Sequence, residues 1–163
     1  DLLALRDTFG LRSCFNTVLR MWNPSNAPAT VQGVFHPSYR SLQAQAAAML
    51  GQEQLCIIKG GGGEFERHPS KDITAFGLRD GLHIEQKTRP IADETRRLHQ
   101  VDASIDLNAL WQGKSRDRFA IATITGTAAL ALWTVKAAPT VAEAQDMAQD
   151  LWATRHQHES LSA

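Results

Sequence analysis

Leu55-Cys56-Ile57-Ile58-Lys59-Gly60-Gly61-Gly62-Gly63-Glu64-Phe65-Glu66-Arg67 decides how this chain is read. Four consecutive apolar residues without polar alternation describe a strand covered on both faces, as in the interior of an α/β sheet. The glycines that follow take every Cβ away from the strand's exit, so backbone N–H groups can approach a ligand closely. Two carboxylates come next. Glu64 and Glu66 repel a bare phosphate but suit one bridged by a divalent cation, which is how Mg²⁺ is usually held. The run matches neither the Walker pattern nor the dinucleotide fingerprint, because no Gly-Lys-Ser/Thr and no helix-opening third glycine follows. A surface turn with solvated glutamates is the plain alternative.

Working outward, Thr30 to Phe35 reads as a strand. His36-Pro37-Ser38-Tyr39 opens a helix that runs through Leu42, Ala46, Met49 and Leu50 and stops at Gly51. Strand, helix and strand at this spacing make a βαβ unit, hence a parallel pair with a right-handed crossover. Ile73 to Leu78 and Leu82 to Thr88 flank Arg79-Asp80-Gly81, a hairpin signal, so these two strands are expected antiparallel. Leu2, Leu3, Leu5 and Phe9 form a helical stripe, and Ser13 to Trp22 a second short helix. Pro90 to Val101 reads as loop and Ile105 to Trp111 as a short helix. Ser115 is expected to cap a long apolar helix from Arg116 to about Lys136. Thr140-Val141-Ala142-Glu143 is a capping box for a final amphipathic helix. Trp22, Trp111, Trp133 and Trp152 read as core or interface aromatics.

The bulk properties narrow the function classes. At 163 residues and 43% hydrophobic content the chain has material for one real core. Seventeen basic residues balance seventeen acidic ones, so no global field draws it to nucleic acid or anionic membrane. Cys14 and Cys56 have no paired spacing, which points to a reducing, cytoplasmic setting without a disulfide framework. Phe119 to Val135 is broken by Thr123, Thr125, Gly126, Thr127 and Thr134, so it reads as a core helix and no membrane partner is expected.

Gly10-Leu11-Arg12-Ser13-Cys14-Phe15-Asn16-Thr17-Val18-Leu19-Arg20-Met21-Trp22-Asn23-Pro24 resembles the "LGxRTxFNxLGPLxNP" segment of anthranilate phosphoribosyltransferases. Gln32-Gly33-Val34-Phe35-His36-Pro37 is similar to that family's "VGVxxP", and the glycine exit lies where it carries "VHGxGxDE". Ser115-Arg116-Asp117 looks like the start of its "ARDAVLLNAAAAL", and Thr140-Val141-Ala142-Glu143-Ala144 like its "SLEEG" helix. The matches run in order over nearly all of the chain. The resemblance implies an α/β fold of the phosphoribosyltransferase and nucleoside phosphorylase type, mainly a parallel sheet with an antiparallel hairpin and C-terminal helices. Residues 1–163 would be the C-terminal part of that domain, with an N-terminal helical domain and upstream strands outside the chain. Phosphoribosyl transfer from phosphoribosyl pyrophosphate to an aromatic acceptor, assisted by Mg²⁺ in a homodimer, is the implied activity of the full-length protein. Arg12, Asn16 and Arg20 would face substrate, Lys59 and Gly60, Gly61, Gly62 and Gly63 would form the phosphate loop, and Glu64 and Glu66 would hold the metal.

Departures from the pattern matter too. The family's Asp-Glu pair falls on Glu64-Phe65, unless Glu66 substitutes, as it could if both glutamates pointed to one side of a strand. Its Gly-Pro falls on Leu19-Arg20, and its helix asparagine on Ala122. The "GTGGD" and "KHGN" motifs do not occur in this chain, so the segment alone is expected to be inactive. A second, non-catalytic branch of the family, reported as nucleic-acid-binding dimers, resembles Asn16 to Pro24 and Lys59 to Arg67 more closely. On that alternative Arg12, Arg20, Lys59, Arg67 and Lys71 would contact the phosphates of single-stranded nucleic acid. Zero net charge speaks against strong non-specific binding, since such domains are usually basic.

Overall fold

The computed structural model describes residues 7, 8, 10, 14–94, 96 and 105–157, apart from the side chains of residues 14–16 and 157. The stripe on Leu2, Leu3, Leu5 and Phe9, and residues 95 and 97–101 of the expected loop, lie outside the described residues. In chain order the elements are α1 (Cys14–Met21), β1 (Ala29–Val34), α2 (Tyr39–Met49), β2 (Gln54–Lys59), β3 (Ile73–Arg79) and β4 (Leu82–Thr88). They are followed by α3 (Leu107–Trp111), α4 (Arg118–Thr134), α5 (Val141–Ala153) and a closing 3-10 turn, Arg155–Gln157.

The four strands form one mixed sheet in the order β1-β2-β3-β4. β1 and β2 run parallel, with Gly33 beside Ile58 and Val34 beside Lys59, and α2 makes the crossover between them. β2–β3 and β3–β4 are antiparallel, the latter through the Asp80-Gly81 turn. The fold is therefore α/β, with its parallel character in the βαβ unit.

β2 is the centre of the molecule because both of its faces are covered. Leu55, Cys56, Ile57 and Ile58 are all 0% exposed. The period-two alternation of a strand divides them between two layers. Leu55 and Ile57 pack with Val34, Ala44, Ala47 and Leu78 under α2. Cys56 and Ile58 pack with Ala75, Ala129, Leu130, Trp133, Ala144 and Ala148 under α4 and α5. A continuous apolar run is what such a two-sided position requires.

Helix α4 starts two residues later than the expected Ser115 cap. The Asp117 carboxylate accepts the Ala120 amide at 2.8 Å, whereas the Ser115 amide is tied back to the Ala109 carbonyl at 3.0 Å. Thr140 caps α5 as expected, accepting the Glu143 amide. Of the tryptophans, Trp133 is core, while Trp22 and Trp111 are exposed and Trp111 meets Trp152 edge to face. Among the described residues no helix is long and apolar enough to cross a membrane.

Candidate functional site

The glycine segment leaves the sheet at the carboxyl end of the parallel pair, where open α/β sheets place their ligands. The Gly60 amide donates to the Val34 carbonyl at 3.0 Å, carrying the parallel ladder one step past β2. The chain then folds back onto β1. A Cβ on Gly33 would lie 2.0 Å from the Glu64 carbonyl carbon, and one on Gly60 would lie 2.1 Å from the Glu64 oxygen. Glycine at these two positions is a condition of backbone packing on backbone.

Arg20, near the end of α1, fixes this fold-back. Its Nη1 donates to the Gly63 carbonyl at 2.9 Å and to the Gly33 carbonyl at 3.1 Å, joining the loop to β1. Gly63 has φ +98°, and a Cβ there would approach Arg20 Nη1 to 2.5 Å. The Glu64 carboxylate accepts the Gly62 amide at 2.8 Å. A guanidinium, a glycine loop and a carboxylate therefore share one small region: the first comes from α1, the other two from the segment after β2, and β1 adds the Gly33 carbonyl.

The expected site residues divide as follows. Arg20, Gly60, Gly61, Gly62, Gly63 and Glu64 are brought together. Lys59 is exposed at the end of β2, beside the loop. Glu66 is half-buried two residues on, in an irregular segment, so the strand alternation that would set Glu64 and Glu66 side by side does not apply. Phe65 packs against the α4–α5 core cluster. Arg12 and the side chain of Asn16 lie outside the described residues. Among the described residues no group of three or more His, Cys, Asp or Glu side chains is placed to hold a metal ion. The number of carboxylates nevertheless suits Mg²⁺, which is commonly held by one or two carboxylates together with substrate phosphates.

Arg67 overturns the expectation that it meets solvent-side phosphates, because it is 2% exposed. Its amide donates to Thr127 Oγ1 at 2.9 Å, its Nη2 to the Arg89 carbonyl at 2.9 Å and its Nη1 to Gln145 Oε1 at 3.3 Å. Gly126 makes room for it: a Cβ there would lie 3.0 Å from Arg67 Cδ. Burial lowers the guanidinium's pKa from its ordinary value. Sequence reasoning missed this arrangement, although the threonines and glycine that interrupt the apolar α4 are its trace. Thr125 and Thr127 face Gln145 and Arg67 inside the protein.

Fold and loop together define an α/β protein with a glycine-rich segment at the carboxyl end of a parallel strand pair, clamped by an arginine. In sequence the chain is similar to anthranilate phosphoribosyltransferases. It is 31% identical to that of Aromatoleum aromaticum over 90 residues, 55% of this chain and 26% of that protein. With the enzyme of Polynucleobacter necessarius the identity is 30% over 90 residues, again 55% of this chain and 26% of that protein. The Burkholderia mallei enzyme is 25% identical over 170 aligned residues, covering 99% of this chain and 49% of that protein. The chain thus matches about half the length of these curated relatives or less. No family model matches it.

Proposed function

We propose that this chain is the C-terminal part of an α/β domain in a phosphoribosyltransferase-like protein, and that its glycine loop receives the phosphates of phosphoribosyl pyrophosphate. The observation that carries this reading is the Arg20 clamp on Gly33 and Gly63, with Glu64 on the same turn. Glu64 and Glu66 are the residues that would hold Mg²⁺, which when bound offsets the charge of the departing pyrophosphate. The protein's own contribution is positional. The clamp keeps the loop's amides fixed, and groups fixed in advance stabilise developing charge without reorganising. An aromatic carboxylate is the proposed acceptor, because Arg12 offers the bidentate pairing that a carboxylate takes. Further chain from the same protein would supply the remaining phosphate contacts.

A second reading, a non-catalytic nucleic-acid binder, is favoured by one specific feature. Phe65, half-buried, packs against the α4–α5 core cluster where the family pattern calls for the second carboxylate of its metal pair. On this reading Arg12, Arg20, Lys59 and Lys71 meet phosphates, without Arg67.

Calorimetry on the full-length protein separates the two. Phosphoribosyl pyrophosphate with Mg²⁺ is expected to give saturable heat that disappears in Glu64→Ala. No heat at millimolar ligand, combined with salt-sensitive binding of single-stranded DNA, would replace the first reading with the second.

A further inference from the structure

A cavity of about 760 Å³ lies between the end of β4 and the N-terminus of α5, and none of Gly60 to Glu64 lines it. Its volume is that of a small-molecule site. Arg67 lines it. This guanidinium is almost wholly buried, yet its hydrogen-bond acceptors are an amide oxygen and a backbone carbonyl, and its Nε has no acceptor. Arginine keeps its charge inside proteins, and a buried charge without a counter-ion is costly. The same wall carries Val141 and Ala142, whose N–H groups belong to the first turn of a 13-residue helix and have no intrahelical acceptor. Such a terminus carries partial positive charge. Arg79, Arg89 and Asp146 also line the cavity, whereas Glu85 and Lys87 alternate with the inward Ile84 and turn to the α2 face of the sheet, so three cations stand with one carboxylate. That excess of two matches one phosphate dianion. Ile84 and Trp133 add an apolar surface on the same lining.

We propose that this cavity binds a small phosphate monoester, its phosphate seated on the Val141 and Ala142 amides between Arg89 and the buried Arg67, its organic group against Ile84 and Trp133. The proposal does not depend on what the glycine loop binds.

The test is a ¹⁵N NMR titration at constant ionic strength with inorganic phosphate, phenyl phosphate and benzoate. Saturable shifts of the Val141 and Ala142 amides are expected with both phosphates, with phenyl phosphate the tighter and benzoate the weakest. Arg67 substitutions risk misfolding, so two other variants carry the test. Val141→Pro removes one amide at a position where proline suits a helix, after a Thr140 already extended at φ −120°, ψ 159°. Arg89→Ala removes the neighbouring charge at an exposed site. Each is expected to weaken phenyl phosphate about tenfold, the usual scale for one charge-assisted hydrogen bond. Arg89→Ala should keep the parent's unfolding midpoint, while Val141→Pro, which also alters a side chain packed on the α4–α5 cluster, is compared at a temperature where both are folded. Unchanged affinity in both variants would overturn the proposal. So would benzoate binding more tightly than phenyl phosphate, or shifts confined to Gly60 through Glu64.

Discussion

Gly33 has no room for even a methyl group, since a Cβ there would meet the Glu64 backbone at 2.0 Å. Alanine must therefore push the loop off β1 and break both Arg20 contacts. Gly33→Ala is expected to cost about 3 kcal/mol in urea unfolding, the upper range for overpacking. Arg20→Ala leaves the packing but removes two charged hydrogen bonds, and should cost about 1–2 kcal/mol. Its more direct signature is faster hydrogen exchange at Gly61, Gly62 and Gly63. Unchanged exchange there would mean that the guanidinium does not hold the loop. In the neighbouring strand β2, burial pushes the Cys56 thiol up to about 12 from 9.0, against a hydrogen bond with Thr134 that pulls it down. The raised value means that the folded state keeps a proton the unfolded chain loses. This contribution is complete below pH 9 and drains away between pH 9 and about 12, at about 1.4 kcal/mol per pH unit. Comparing urea midpoints of the parent and Cys56→Ala at pH 8, 9 and 10 isolates it: the gap between them should narrow as pH rises.

Elements whose signal is local follow the sequence closely, and those that depend on distant partners do not. β2 and the β3–β4 hairpin were legible because a continuous apolar run and an Asp-Gly turn act within a few residues. The Thr140 box acts over one helical turn, and it was legible too. The start of α4 was misplaced by two residues: Asp117 caps it in place of the expected Ser115, whose amide is held by the Ala109 carbonyl of α3. Burial of Arg67 was not legible, because Thr127 and Gln145 lie 60 and 78 residues away. At the site, the glycine exit and Glu64 were readable as a unit, whereas the role of Arg20 as a clamp required knowing where α1 lies. Asp117 gives the test that belongs to this scale. Desolvation raises its pKa, but the Ala120 amide and Arg96 outweigh that and leave it below the ordinary carboxylate value. Arg96 Nη1 sits 2.8 Å away. Asp117→Ala should cost about 1–2 kcal/mol at pH 7, the scale of a lost N-cap. Because the folded pKa is depressed, this stability is present above the unfolded carboxylate pKa of about 3.9 and is lost as pH falls through the folded value. The parent and variant should therefore converge in acid; a constant gap would assign the effect to the lost packing of the side chain.

Across the whole molecule the charges cancel, seventeen against seventeen, so affinity for a polyanion must come from a local arrangement. Around the glycine segment the described candidates are Arg20, Lys59 and Lys71. Arg67 is withdrawn into the interior, and Arg20 already spends Nη1 on two carbonyls. Each phosphate neutralised releases about 0.7 counter-ion from a single strand, so two or three contacts give a slope of log affinity against log salt of about −1.4 to −2.1. On the nucleic-acid reading, that shallow dependence is the expected outcome for single-stranded DNA titrated over a range of salt. Lys59→Ala should reduce the slope by about 0.7 and lower affinity evenly across sequences, because a lysine on a phosphate reads no base. A slope several times steeper would require cations beyond this face. It would show that polyanion binding draws on a surface other than the glycine exit, and Lys59→Ala would then leave the affinity where it was.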